Sequence, residues 1–331
     1  MHRLLSLFLV GVLAGACTSP VVTQPAPPST ELTVGLGFIP SVQFAQFYRA
    51  DRQGYYRDAG LDVTFQHRID PELITLIGQG AVDVGMGDGT SLIPAASQGI
   101  PVRYVASIYA RFPSVVVARA DSGISAPADL AGRALGIPGR FGSSWVMLQA
   151  LLVSAGLTPD DLDIRLYPDF GQAVALREAQ VEAATGFANN EPVQLALAGL
   201  ETNILRVDEI TPLPGPGLTV GEATLDNKGE ALRAFVGATL RAMEEIIAQP
   251  ELGLDDAIAV VPELGEDRAT QLAILQATIE MWRSPYTEQH GLGAIDAEAW
   301  AQSIEFMRTL PESVVTPELT AQQLVTEELL P

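Results

Sequence analysis

Two successive runs of alternating strand and helix patterns constrain the fold of this chain more than any other feature. In the first run, short apolar strand patterns alternate with amphipathic helix patterns that end at glycine or proline. Strands are predicted at 31–38, 61–66, 82–86 and 101–109, and helices at 43–58, 71–80 and 91–98. This alternation predicts an α/β fold built on parallel sheets.

The second run begins after Pro113 and follows the same pattern. Strands are predicted at 114–119, 133–137, 163–167 and 181–187, and helices at 143–155, 171–179 and 191–198. Residues 211–217 (TPLPGPG) are interrupted by proline and glycine, which is typical of a crossing between two units. From Asn227 onward the pattern is mostly helical, with helices predicted at 228–248, 253–260, 267–281 and 296–309.

A unit that begins, gives way to another and then resumes indicates two lobes joined by two chain crossings. We assign residues 31–112 together with 211–331 to lobe 1, and residues 113–210 to lobe 2. The hinge crossings are expected near Arg111–Pro113 and Leu205–Gly217. The roughly 300 residues available are enough to give each lobe its own core.

The N-terminal residues contain a targeting pattern. Arg3 supplies positive charge, and the apolar run Leu4–Ala14 is too short for a permanent membrane span. Small residues and the only cysteine, Cys17, follow, an order that resembles a bacterial lipoprotein signal. We predict a signal over 1–16, lipidation of Cys17 and a Pro/Ser/Thr-rich tether over 17–30, which anchor the protein on the extracytoplasmic face of the cell membrane. An ordinary secretory signal is the alternative.

The charge and the motifs exclude several function classes. The formal net charge is −21, which argues against nucleic-acid binding and against charge-driven docking on an anionic membrane. The sequence has no His-Glu-x-x-His zinc motif, paired cysteines, phosphate loop or Gly-x-Ser-x-Gly elbow. We therefore predict no catalytic residue, no metal site and no bound cofactor.

Six sequence blocks are familiar in their order and spacing. They are 38–45 (FIPSVQFA), 54–63 (GYYRDAGLDV), 99–102 (GIPV), 125–133 (SAPADLAGR), 136–139 (GIPG) and 290–293 (HGLG). Together they resemble the substrate-binding proteins of thiamine-precursor and sulfonate ABC importers. The resemblance implies a type II periplasmic-binding-protein fold, in which two α/β lobes joined by a hinge enclose a ligand cleft. It also implies an ABC permease partner and a small molecule that is transported.

Three blocks narrow the resemblance to riboflavin-binding lipoproteins of flavin importers. They are 38–48 (FIPSVQFAQFY), 137–145 (IPGRFGSSW) and 187–193 (FANNEPV). Riboflavin is thus the expected transported ligand. Two alternatives remain open: a formylated aminopyrimidine precursor of thiamine, and a pyrimidine-synthase-like enzyme on the same fold. The branch that binds pyrimidines tends to have Asp-Trp near the position of Gly37-Phe38. The resemblance to the synthases includes no matching lysine, since Lys228, the only lysine, lies at a predicted helix start.

Candidate ligand contacts lie on loops that follow predicted strands, because ligands of open α/β lobes bind beyond the carboxyl ends of the strands. The candidate aromatic plates are Phe38, Tyr109, Phe141 and Trp282, and the candidate edge partners are Gln43, Asp88, Asn189 and Asn190. Arg140 and Ser143 lie in the loop that opens a lobe 2 helix, where free N–H groups favour an acceptor. Helix capping is the alternative role for the Asp, Ser and Asn residues, and a core position is the alternative for Phe38 and Trp282.

Overall fold

The computed structural model describes residues 29–67, 72–311 and 314–331. The predicted signal, Cys17 and nearly all of the predicted tether lie outside the described residues. Within the described ranges, no helix has both the length and the apolar composition needed to cross a membrane.

Ten strands and thirteen α-helices follow one another along the described chain. The strands are β1 (Thr30–Gly35), β2 (Leu61–Gln66), β3 (Val84–Gly87), β4 (Val102–Ser107), β5 (Ser114–Arg119), β6 (Ala134–Ile137), β7 (Asp163–Leu166), β8 (Ala183–Phe187), β9 (Thr202–Arg206) and β10 (Gly217–Gly221). The helices are α1 (Ala45–Arg52), α2 (Tyr55–Asp58), α3 (Leu73–Gly78), α4 (Gly89–Ser97), α5 (Gly142–Ser154), α6 (Gln172–Arg177), α7 (Glu191–Leu197), α8 (Glu222–Ala248), α9 (Pro250–Val260), α10 (Arg268–Met281), α11 (Pro285–His290), α12 (Ala297–Arg308) and α13 (Ala321–Leu324).

The strands form two five-stranded sheets, which confirms the α/β fold with two lobes. The sheet of lobe 1 has the order β2-β1-β3-β10-β4, and that of lobe 2 has the order β7-β6-β8-β5-β9. The chain leaves the first sheet after Ser107 and enters the second at Ser114. It returns between Arg206 and Gly217, so two segments cross between the sheets.

The expectation of purely parallel sheets is wrong for one part of each sheet. β10 pairs antiparallel with both β3 and β4, and β5 pairs antiparallel with both β8 and β9. All five residues of β10 are buried, because the strand lies inside the first sheet between two neighbours. Its sequence, GLTVG, continues directly from the Pro/Gly-rich crossing, so its pattern resembles the end of a loop. β9 was not predicted either.

The predicted helix over 43–58 is divided into a short 3-10 turn and two helices. Ser41 caps the turn at Val42–Phe44, where its side chain accepts a hydrogen bond from the Gln43 backbone N–H. α1 ends at Arg52, and Gly54 then adopts φ 77°, a left-handed conformation that glycine tolerates. The break turns α2 toward the start of β2.

Aromatic packing and a buried ion network fix α1 against the C-terminal helices of lobe 1. The Phe235 ring of α8 stacks on Tyr56, with centroids 4.9 Å apart, and on Phe47 at 6.3 Å. Arg49 contacts Glu245 at 2.6 Å and Asp256 at 2.9 Å, so its buried charge has two carboxylate partners. Lobe 1 therefore offers a rigid platform for the loop that precedes α1.

Candidate functional site

A cavity of about 320 Å³ lies between the lobes, within the size range of small-molecule pockets. Its walls are formed mainly by segments that follow β1, β3, β4, β6 and β8, together with the segment before α6. Five of the eleven phenylalanines of the sequence line it. They are Phe38, Phe44, Phe141, Phe170 and Phe187. The cavity is thus apolar and aromatic, with polar groups at a few points.

The wall from lobe 1 contains four of the predicted residues: Phe38, Gln43, Asp88 and Tyr109. Asp88 caps α4, since its Oδ1 accepts from the Ser91 N–H at 3.0 Å and from the Thr90 hydroxyl at 2.7 Å. Its Oδ2 accepts from the Ser143 hydroxyl of lobe 2 at 2.5 Å. Asp88 therefore serves as a helix cap and as a contact between the lobes.

The wall from lobe 2 contains the predicted residues Phe141, Ser143 and Asn190. Phe141 remains 49% exposed, so its ring has open surface beside the cavity. Ser143 donates its hydrogen to Asp88, which leaves its oxygen as an acceptor. The Asn190 amide oxygen accepts from Gln194, one turn later on α7.

Phe170 is a cavity residue that the sequence analysis missed. It lies before α6, and its ring meets Phe38 of lobe 1 edge to face, with centroids 5.8 Å apart and an interplanar angle of 79°. Its φ of 60° is left-handed, which costs about 1–2 kcal/mol in a residue with a side chain. No sequence pattern signals that conformation, since Pro168-Asp169-Phe170-Gly171 is typical of an ordinary turn.

Glu191 is a second cavity residue that was not predicted as a contact. Its Oε2 accepts a hydrogen bond from the Phe187 backbone N–H at 2.6 Å. A Cβ at position 186 would lie 2.9 Å from this oxygen, so the side chain occupies space that Gly186 leaves free. Burial raises the pKa of the Glu191 carboxyl above its ordinary value. The signal available in the sequence was Asn190-Glu191-Pro192, which we interpreted as a helix start.

Asn189 joins the lobes behind the cavity wall. It is 0% exposed and does not line the cavity. Its side-chain nitrogen donates to Gln43 Oε1 and to Thr278 Oγ1, both at 2.8 Å, and lies 3.4 Å from the Tyr109 hydroxyl. All three acceptors belong to lobe 1, whereas Asn189 follows β8 in lobe 2. The structure therefore gives Asn189 a role between protein groups.

Two further predicted residues lie away from the cavity wall. Trp282 is 1% exposed and belongs to the core of lobe 1, at the end of α10. The Arg140 guanidinium lies over the Trp145 ring, 5.2 Å from its centroid. Trp282 thus occupies the core position that we considered as its alternative, and the charge of Arg140 is directed to a neighbouring ring.

The charged groups of the cavity are acidic. Asp88 and Glu191 line it, and no arginine, lysine or histidine of the described ranges does so. Lys228 instead pairs with Asp83 at 2.8 Å, and the His290 ring stacks on Tyr286. Among the described residues, no group of His, Cys, Asp and Glu could hold a metal ion. This arrangement suits a flat, uncharged ligand with hydrogen-bonding edges and disfavours an anion.

Comparison with known proteins gives related sequences and folds. The riboflavin-binding protein RibY of Chloroflexus aurantiacus is 33% identical, covering 99% of this chain and 98% of that protein. The formylaminopyrimidine-binding protein of Halalkalibacterium halodurans is 24% identical, covering 92% of both chains. Among solved structures, the alkanesulfonate-binding protein SsuA of Xanthomonas axonopodis pv. citri has a TM-score of 0.68 at 16% identity, covering 91% of this chain and 100% of that one.

The structural likeness to SsuA confirms the two-lobed periplasmic-binding-protein fold. A family model described as NMT1/THI5 like matches residues 41–252, which include the cavity residues of both walls except Leu36, Gly37 and Phe38. Together with the relationship to RibY over nearly the whole chain, this match confirms the resemblance drawn from the sequence blocks. The chain belongs to the NMT1/THI5-like family.

Proposed function

We propose that this chain is the extracytoplasmic substrate-binding component of an ABC importer and that its ligand is riboflavin. One observation carries the proposal: in a chain related to RibY over nearly its full length, the cavity between the lobes is lined by five phenylalanines and by no cationic side chain of the described residues. The protein binds and delivers its ligand without changing it.

The chemistry of the isoalloxazine ring fits this cavity. The ring is large, flat and uncharged, and water hydrates its edges better than its faces, so a binding site needs aromatic surfaces and a few directed polar groups. Phe38 and Phe170 supply ring surface from opposite lobes. Gln43, Ser143 and Asn190 supply polar groups on the same walls. Because contacts come from both lobes, a bound ligand favours the state in which the lobes meet.

The acidic character of the cavity opposes anionic ligands. A sulfonate or phosphate entering it would meet Asp88 and Glu191 without a compensating cation from the described residues. Burial of an unpaired charge is costly. The site thus differs in chemistry from what a sulfonate requires, although the fold is shared with a sulfonate-binding protein.

A synthase-like enzyme is the competing class, and the positions of the reactive side chains disfavour it. The only lysine, Lys228, is held by Asp83 and by the Glu31 carbonyl oxygen at 3.0 Å. Neither His67 nor His290 lines the cavity. The cavity therefore lacks, among the described residues, the amine and imidazole groups that a pyridoxal-dependent or histidine-consuming reaction would use.

The proposal includes a lipid anchor at Cys17 and a permease partner in the membrane. Cys17 follows an apolar run and precedes a tether rich in proline, serine and threonine. Acyl chains on this cysteine would hold the protein at the outer face, since each buried methylene contributes about 0.8 kcal/mol.

Mass spectrometry of the molecule that the protein carries tests the proposal. The purified protein is denatured and the released small molecules are identified. We expect riboflavin in amounts approaching one per chain after saturation, and less from a Phe38→Ala variant. Release of a formylated aminopyrimidine instead would overturn riboflavin as the ligand and keep the importer role. Turnover of an added substrate would overturn the assignment as a binding protein.

A further inference from the structure

Buried hydrogen bonds between the lobes determine which end of the Gln43 side-chain amide meets a ligand. Gln43 lines the cavity, and its amide has a carbonyl oxygen that accepts and an NH₂ group that donates. The two ends recognise opposite ligand groups. The choice between them follows from a series of hydrogen bonds that starts at Thr278 on α10 and passes through Asn189.

Thr278 fixes the orientation of Asn189. Thr278 is 0% exposed, and its hydroxyl hydrogen is donated to the Ile274 carbonyl oxygen at 2.8 Å. The hydroxyl oxygen is then left as an acceptor, so the Asn189 group that contacts it at 2.8 Å must be the NH₂. The Asn189 Oδ1 is buried and has no hydrogen-bond partner among the described residues. The opposite orientation would place the Asn189 oxygen against the Thr278 oxygen, whose hydrogen is already donated to Ile274.

Asn189 in turn fixes the orientation of the Gln43 side-chain amide. The Asn189 nitrogen lies 2.8 Å from Gln43 and only donates, so the end of Gln43 that faces it is the carbonyl oxygen. The Gln43 nitrogen therefore points the other way, where Ser41 Oγ accepts one of its hydrogens at 3.2 Å. The second hydrogen has no protein acceptor among the hydrogen bonds of the described residues and is available to a ligand.

We propose that Thr278 and Asn189 are positioning residues that make Gln43 a hydrogen-bond donor in the cavity. The site then selects ligands with an acceptor, such as a ring carbonyl, at that point. This inference rests on the proposed riboflavin function and deepens it. The pyrimidine edge of isoalloxazine carries two carbonyl oxygens, whereas 4-amino-5-hydroxymethyl-2-methylpyrimidine has no carbonyl oxygen and presents an amino donor beside its ring nitrogens. This orientation of the Gln43 amide requires the two lobes to be in contact, because Asn189 belongs to lobe 2, whereas Gln43 and Thr278 belong to lobe 1.

Thr278→Val removes the acceptor that orients Asn189 with little change of shape. Thr239 offers a matched control. It is also 0% exposed, lies in lobe 1 and donates to the carbonyl oxygen four residues earlier at 2.8 Å, but its hydroxyl oxygen contacts the Tyr56 hydroxyl at 2.8 Å and not Asn189. Thr239→Val should therefore report the general cost of removing a buried hydroxyl. Thr278→Ser keeps the hydroxyl and should restore the wild-type preference.

The experiment titrates each variant with riboflavin and with 4-amino-5-hydroxymethyl-2-methylpyrimidine. We expect Thr278→Val to weaken riboflavin binding about tenfold, equivalent to about 1.4 kcal/mol, and to weaken binding of the aminopyrimidine less. Thr239→Val and Thr278→Ser should leave the ratio of the two affinities unchanged. Unchanged riboflavin binding by Thr278→Val, or equal weakening of both ligands, would overturn the proposal.

A readout without ligand separates this proposal from the proposed function. In wild-type protein the Asn189 side-chain NH₂ is buried and hydrogen-bonded, so its hydrogens should exchange slowly with solvent in nuclear magnetic resonance spectra. Thr278→Val should accelerate this exchange and Thr239→Val should not. Wild-type protein that fails to bind riboflavin contradicts the proposed function alone, whereas equal Asn189 exchange in both variants contradicts the positioning role.

Discussion

Replacement of Phe170 by glycine should separate folding stability from ligand binding. Phe170 has a φ of 60°, and relief of this conformation returns about 1–2 kcal/mol. Two costs oppose the gain: glycine loses about 0.5–1 kcal/mol more backbone entropy on folding, and the ring pair with Phe38 contributes about 0.5–1.5 kcal/mol. The free energy of unfolding should thus change by no more than about 1.5 kcal/mol in either direction.

Binding should respond differently, because the ring is lost from the cavity. An aromatic side chain buried against a ligand contributes about 1.5–3 kcal/mol, so Phe170→Gly should weaken riboflavin binding at least about tenfold. Ala179→Gly is the matched control. Ala179 has a φ of 55° and does not line the cavity, so its replacement should stabilise the fold by up to about 1.5 kcal/mol and leave binding unchanged. Urea unfolding and flavin fluorescence titration measure the two effects. Unchanged riboflavin affinity in Phe170→Gly would refute the role of the Phe170 ring in binding. A loss of several kcal/mol of stability would refute the backbone strain at Phe170.

Three further expectations follow from the anchor, from the acidic cavity and from Glu191. Cys17→Ser should abolish partition into detergent, measured by phase separation of membrane extracts, and a wild-type protein that stays in the aqueous phase would contradict lipidation. Flavin mononucleotide, the same ring with an added phosphate, should bind at least about tenfold more weakly than riboflavin in competition titrations, and equal affinity would show that the carboxylates of Asp88 and Glu191 do not repel anions. Burial raises the pKa of Glu191, so the folded protein holds that proton more tightly than the unfolded chain, and stability is lost as the pH rises above the ordinary value of 4.5. Glu191→Gln should therefore raise the melting temperature more at about pH 8 than near pH 4.5. Glu178→Gln, at an exposed position, should show no such difference. Equal effects of Glu191→Gln at both pH values would contradict the raised pKa of Glu191.

The sequence was sufficient to predict the lobes and most of their elements, because these depend on local patterns. β5 (Ser114–Arg119) was predicted with the observed bounds, since its apolar run is flanked by proline and glycine signals. β10 could not be recognised, because its position between β3 and β4 depends on a return of the chain from the other lobe. A five-residue strand with glycine at both ends carries little pattern of its own.

The candidate site was predictable to the level of loops. The rule that ligands bind beyond the carboxyl ends of strands located Phe38, Asp88, Phe141 and Asn190 at the cavity. The orientation of individual side chains was not predictable, because it depends on partners distant in sequence. Asn189 is directed by Thr278, which is 89 positions away along the chain, and residue type alone could not show that its amide is used within the protein.

The identity of the ligand is tested most directly by titration of the purified protein with riboflavin while flavin fluorescence is recorded. The formylated aminopyrimidine is titrated in parallel by calorimetry. Stacking on an aromatic side chain should quench the flavin, and we expect saturable quenching at one riboflavin per chain with a Kd of about 1 μM or tighter, near −8 kcal/mol. The aminopyrimidine should bind more weakly and should be displaced by riboflavin. Tight binding of the aminopyrimidine with no quenching of riboflavin at micromolar protein would contradict riboflavin as the ligand.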